Sequence, residues 1–278
     1  MGLLDKLLGT DKRNPNINEE TQVNGYPIDS AWKERLQGAK ILSEHDMFAA
    51  DEIFEEIADN THDPEALRLA IISKISFFHM NESMFDQYPE SVYDSIAEID
   101  KTIEWIEILE NTSKKKIDGE AVERKEWLAR CYELKGKFLY YLDQKGVATT
   151  ATLKKGMELG SNKSKLYLAL AYLDKAQELA NSFDVASIKS NYSKKLQKEI
   201  DSIERRINDY YSNIVELLED YVSNYSEIGA TAHELSNACR ILSLSYENGY
   251  GVVRNYKKAE WFKGIADREK EKWDTKIQ

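Results

Sequence analysis

The sequence predicts an all-α protein built of consecutive antiparallel helix pairs, with one long heptad-patterned helix in its second half. Three observations carry this. All four prolines, Pro15, Pro27, Pro64 and Pro89, lie in the first third of the chain. Proline removes a backbone donor and clashes with the preceding turn, so its absence after Pro89 leaves room for long helices. Alternating β-branched runs are absent, so no strands are expected. Finally, Leu196, Ile200, Ile203, Ile207, Tyr210, Ile214, Leu217 and Tyr221 step alternately by four and three, which is a heptad seam.

The elements follow in order. Met1–Gly9 sets Leu3, Leu4, Leu7 and Leu8 on one helical side but is too short to be stable alone. It is either a frayed tail or a segment that docks in a groove or touches a membrane surface weakly. Thr10 to Ile28 is polar, rich in Asn and holds two prolines, so residues 1–28 read as a flexible tail. The helical domain then covers 29–278, with an acidic part to 112 and a remainder from 113. Asp29 or Ser30 caps a helix to Ser43, and a second spans Met47–Asp59. Asp63-Pro64-Glu65 places a cap, a first-turn proline and an acid at the positive dipole end of a third, running to His79. Pro89 opens a fourth, ending near Asn111, in which Val92, Ile96, Ile99, Ile103 and Ile106 form one apolar stripe. Further helices are expected at 120–142, 147–159, 163–181, 184–224, 229–247 and 255–273. The longest needs an apolar partner along its seam, either neighbouring helices of the same chain or a second copy.

Charge is distributed unevenly. The formal net charge is −11, yet residues 44–110 hold 18 acidic and three basic side chains, while 111–278 hold 29 basic and 25 acidic. So acidic a chain repels phosphate backbones, which argues against a nucleic-acid partner. The acidic block is either a set of solvated helix faces or an electrostatic docking surface for a basic protein segment. In the second reading Asp51, Glu52, Glu55, Glu56, Glu90, Asp94, Glu98 and Glu104 bind the partner.

Internal repetition sharpens the fold. Ser164-x-x-x-Leu168-Ala169-x-x-Tyr172 and Ala238-x-x-x-Leu242-Ser243-x-x-Tyr246 share one pattern of small, Leu, small and Tyr. The second continues through Gly249-Tyr250-Gly251-Val252, Lys258-Ala259, Trp261-Phe262 and Ala266. Residues 238–266 resemble the Sel-one-like repeat, a helix-loop-helix unit of the tetratricopeptide-like superfamily. Trp261 follows Ala259 by two residues where that family has three, and Ser243 replaces its glycine. Residues 153–172 carry a weaker copy. Gly38, Ala50 and Phe54 keep the tetratricopeptide spacing of twelve then four within 38–66. The resemblance implies an α-solenoid that serves as a protein–protein adaptor or scaffold. It also implies that the two glycines reverse the chain between helices, because positive φ costs glycine nothing.

Catalytic and metal signatures are missing. His233-Glu234 is not followed by a second histidine at metalloprotease spacing, and no phosphate loop, nucleophile elbow or dinucleotide fingerprint occurs. Neither an enzyme nor a cofactor is expected. Two cysteines, Cys131 and Cys239, are too few for a disulfide framework and suit a reducing cytoplasm. No apolar stretch is long enough for a transmembrane helix. The expected function is a non-catalytic interaction module acting through 44–110. The alternative is an assembly subunit that oligomerises through 184–224 and the N-terminal tail.

Overall fold

In the computed structural model the described residues are 22–23, 26–27, 31–82, 92–112, 118–142, 146–182, 194–225 and 231–277. Among them the chain is helical apart from one minimal strand pair. The chain divides into two compact units, Met1–Cys131 and Tyr132–Gln278. The division falls 21 residues after the charge changes at residue 110, because charge is a property of surfaces whereas a unit follows its core.

Unit 1 begins with β1 (Gln22–Val23) and β2 (Tyr26–Pro27), an antiparallel pair with Val23 opposite Tyr26. No strand was expected there. The overlooked signal is Asn24-Gly25, the dipeptide favoured between paired strands. Four helices follow: α1 (Ala31–Ser43), α2 (Met47–Thr61), α3 (Pro64–Met80) and α4 (Val92–Thr112). Asp46 caps α2 by accepting from the Ala49 N–H at 3.0 Å. Asp63 caps α3 by accepting from the N–H groups of Glu65 and Ala66, with Pro64 in the first turn as expected. Between them His62 takes a left-handed φ of 50° and ends α2. Extensive packing joins α1 to α2, α2 to α3 and α3 to α4. The core holds Leu36, Phe54, Ile57, Leu67, Ile71, Ile99 and Ile106. The sequence stripe on α4 faces it through Ile99, Ile103 and Ile106. Residues 83–91, including Glu90 and the Pro89 helix start, lie outside the described residues, as do Asp29, Ser30 and the leucines of the tail.

The unit boundary falls within α5 (Asp118–Tyr141). Unit 2 continues with α6 (Val147–Leu159), α7 (Lys163–Asn181), α8 (Lys194–Ser223), α9 (Ala232–Asn248) and α10 (Tyr256–Ile277). Again sequence neighbours pack together: α6 on α7, α7 extensively on α8, α9 extensively on α10, and α8 more lightly on α9. Gly160, at φ 110°, separates α6 from α7. A Thr231–Glu234 capping box starts α9. The hydroxyls of Ser236 and Ser243 donate to the carbonyls of Ala266 and Ala259, each at 2.9 Å. Rising position on α9 meets falling position on α10, so this pair is antiparallel. The same holds for α7 and α8, where Lys165 pairs with Asp220 at 2.6 Å and Tyr172 lies against Tyr210.

The heptad seam on α8 finds its partners within the chain only in part. Ile214 and Tyr221 are fully buried, joined by Val215 and Leu218, whereas Ile200, Ile203, Ile207, Tyr210 and Leu217 are half-buried. A straight helix drifts against a strict seven-residue repeat, and α8 packs on both α7 and α9, so its core side widens to 215 and 218. Of the helix expected over 184–224, the described part is Lys194–Ser223.

Both cysteines are buried and free, and burial pushes each thiol up to about 12. Tyr221 is the largest fully buried side chain, and its hydroxyl has no hydrogen-bond partner among the described residues. Burial, and then the nearby Glu234 carboxylate, hold that phenol well above its ordinary range. Replacing it with phenylalanine keeps the ring and removes the unsatisfied oxygen. Tyr221→Phe is expected to raise unit 2 stability by about 1 kcal/mol in urea unfolding. A loss of stability of that size would show that the hydroxyl is bonded after all.

Candidate functional site

The acidic residues of unit 1 divide into two groups. Asp51 and Glu55 on α2 converge with Glu98 on α4 around Lys74 of α3. The ammonium nitrogen of Lys74 lies 3.6 Å from Asp51 Oδ2 and 3.0 Å from Glu98 Oε2, and contacts Glu55 directly. The side chains of Lys74, Asp51 and Glu55 are 13%, 15% and 18% exposed, so this is a mostly enclosed cluster. Burial alone would lower the Lys74 pKa. Hydrogen bonds to Glu55 and Glu98 and the Asp51 charge outweigh it and hold the group above its ordinary value. Beside it Lys101 sits 2.8 Å from Asp59 Oδ2 and 3.4 Å from Glu55 Oε2. Its ammonium lies 4.8 Å from the Trp105 ring, whose Nε1–H donates to Asp59 at 2.9 Å. Glu56 takes a two-pronged bond from Arg35 at 2.9 and 2.6 Å, which holds its carboxyl below the ordinary range.

This corrects the docking surface read from the sequence. Asp51 and Glu55 tie helices together in a mostly enclosed cluster, whereas Glu56 and Glu98, although paired, keep 52% and 43% of their side chains exposed. The physical reason is convergence: acids of α2 and α4 meet on Lys74 of α3 and Lys101 of α4. Glu52, Asp94 and Glu104 are exposed as expected. An open acidic stripe lies on α4. Ala97, Asp100, Glu104, Glu107 and Asn111 follow the three-and-four spacing of one helix side, and all are exposed.

Unit 1 also holds an open cleft of about 190 Å³ lined by Pro64, Glu65, Arg68, Leu109, Glu123, Arg124 and Trp127. Arg68 donates to both Glu123 oxygens at 2.9 Å, and Lys40 pairs with Glu65. Glu65, Arg68 and Glu123 of the cleft are thus paired, and Trp127 and Arg124 were not singled out from the sequence.

In unit 2 the repeat-pattern residues occupy the close contacts. Ala238, Leu242, Tyr246 and Ala259 are buried on α9 and α10, and Leu168 and Ala169 on α7, where Tyr172 is half-buried. In unit 1 Ala50 and Phe54 are buried and Gly38 is half-buried. Gly249 and Gly251 take φ of 79° and 70° in the loop that joins α9 to α10. Gly251 lies against α8: a Cβ there would fall onto the backbone of Tyr211 and Ser212, and the Ser212 hydroxyl donates to its carbonyl at 3.0 Å. Tyr250 stacks on Tyr211 with centroids 5.1 Å apart. Tyr246 donates to Glu219 at 2.6 Å, and Lys258 bonds both.

Trp261 needs a correction. The sequence reading set it in the aromatic position of the repeat, at the cost of one missing residue. It is 59% exposed, and the buried ring is Phe262, three residues after Ala259. With Phe262 in that place no residue is missing. Trp261 instead lies on the outer side of α10, among exposed groups of both signs that include Lys257, Glu260, Asp267, Arg268 and Glu271.

Among the described residues no helix is long and apolar enough to cross a membrane, and no three His, Cys, Asp or Glu side chains gather as metal ligands would. No protein-family model, curated protein or solved structure matches the chain.

Proposed function

We propose that the chain is a non-catalytic adaptor or scaffold, an α-solenoid of tetratricopeptide and Sel-one-like helix pairs that binds a basic protein segment on the outer face of α4. The observation that carries this reading is the packing order. In each unit the extensive helix contacts join sequence neighbours, as stacked repeats require. The antiparallel α9–α10 pair supports it further, since its serine and alanine contacts fall seven residues apart on both helices. Buried, free thiols suit the reducing cytoplasm in which we place it.

The docking residues are Asp100, Glu104 and Glu107, with Glu52 and Asp94 as further exposed acids. A photo-cross-linking side chain at position 97 of the full chain tests this. It should capture a protein with a basic segment at low salt. Capture should fall at least tenfold in high salt, and equally in Glu104→Lys/Glu107→Lys. Capture indifferent to both salt and charge reversal would sink the reading.

A second reading has one observation of its own. Ile200, Ile203 and Ile207 leave the α8 seam half-buried, which fits an assembly subunit pairing through that helix. Such pairing is apolar, so dimers would persist in high salt and vanish on Ile203→Asp.

A further inference from the structure

We draw no further inference here: the strongest candidate, the half-buried apolar edge of Ile200, Ile203 and Ile207 on the N-terminal half of α8, carries nothing beyond the second reading above, because nothing in the structure shows what covers it.

Discussion

Gly251→Ala is expected to cost unit 2 on the order of 3 kcal/mol. Two penalties add. At φ 70° an L side chain pays roughly 1–2 kcal/mol for the left-handed backbone. The new Cβ also falls onto the Tyr211 and Ser212 backbone of α8, which no side-chain rotation can relieve. Either α8 or the 249–255 loop must move, and the Ser212–Gly251 bond and the Tyr211–Tyr250 stack go with it. Gly160→Ala separates the two penalties, since Gly160 also has positive φ, 110°, but open space around it. It should lose only the conformational part, roughly 1–2 kcal/mol. Urea unfolding of both variants decides: equal losses would mean that the loop yields freely and that its contact with α8 holds nothing. The same loop leads into Tyr256 and Lys257, so its displacement would loosen the outer face of α10 as well.

Much of the helical fold was legible because the sequence punctuates it locally. The bounds of α6 and α7 fall where Gly160 and the periodicity set them, and Asp63-Pro64 starts α3 by capping chemistry that needs no tertiary information. The minimal strand pair was missed because its polar surroundings outweighed Asn24-Gly25. Trp261 was misassigned for a different reason. Matching residue letters selects the tryptophan, whereas helix phase selects Phe262, since Ala259, Phe262 and Ala266 step by three and four along one side. Phase is the physical criterion, and it was available in the sequence.

The acidic block shows where sequence runs out. Its net charge is a sum, and sums carry no partners. Glu52 and Glu55 are neighbours in sequence and alike in chemistry, yet one is exposed and the other is held between Lys74 and Lys101. Only the packing of α2, α3 and α4 separates them. The exposed stripe on α4 was within reach, because Asp100, Glu104 and Glu107 each follow one of Ile99, Ile103 and Ile106 and so fall about 100° round the helix from the apolar stripe. The Lys74 cluster was not, because its members come from three helices.

Lys74→Met should therefore be among the most damaging substitutions in unit 1, costing on the order of 3 kcal/mol. The methionine fills similar volume, so the loss is electrostatic: Asp51 and Glu55 remain largely enclosed without their cation. Adding Glu55→Gln should recover part of the loss, since the double variant has one fewer uncompensated carboxylate. A surface lysine such as Lys263, replaced in the same way, should change stability by less than about 0.5 kcal/mol. The pH dependence has a definite sign. The folded-state pKa of Lys74 is raised above its ordinary 10.5. Its contribution is thus fully present below 10.5 and is lost only as pH rises through the higher folded value. The gap between wild type and Lys74→Met should stay constant from neutral pH to about 10 and narrow beyond it. In strong acid, where carboxylates as a class are neutral, the gap should narrow as well. Urea unfolding of unit 1, followed through Trp105 beside the cluster, measures both arms. A gap near zero at neutral pH would mean that the three acids are solvated well enough to do without the lysine, and that the network does not hold α2, α3 and α4 together.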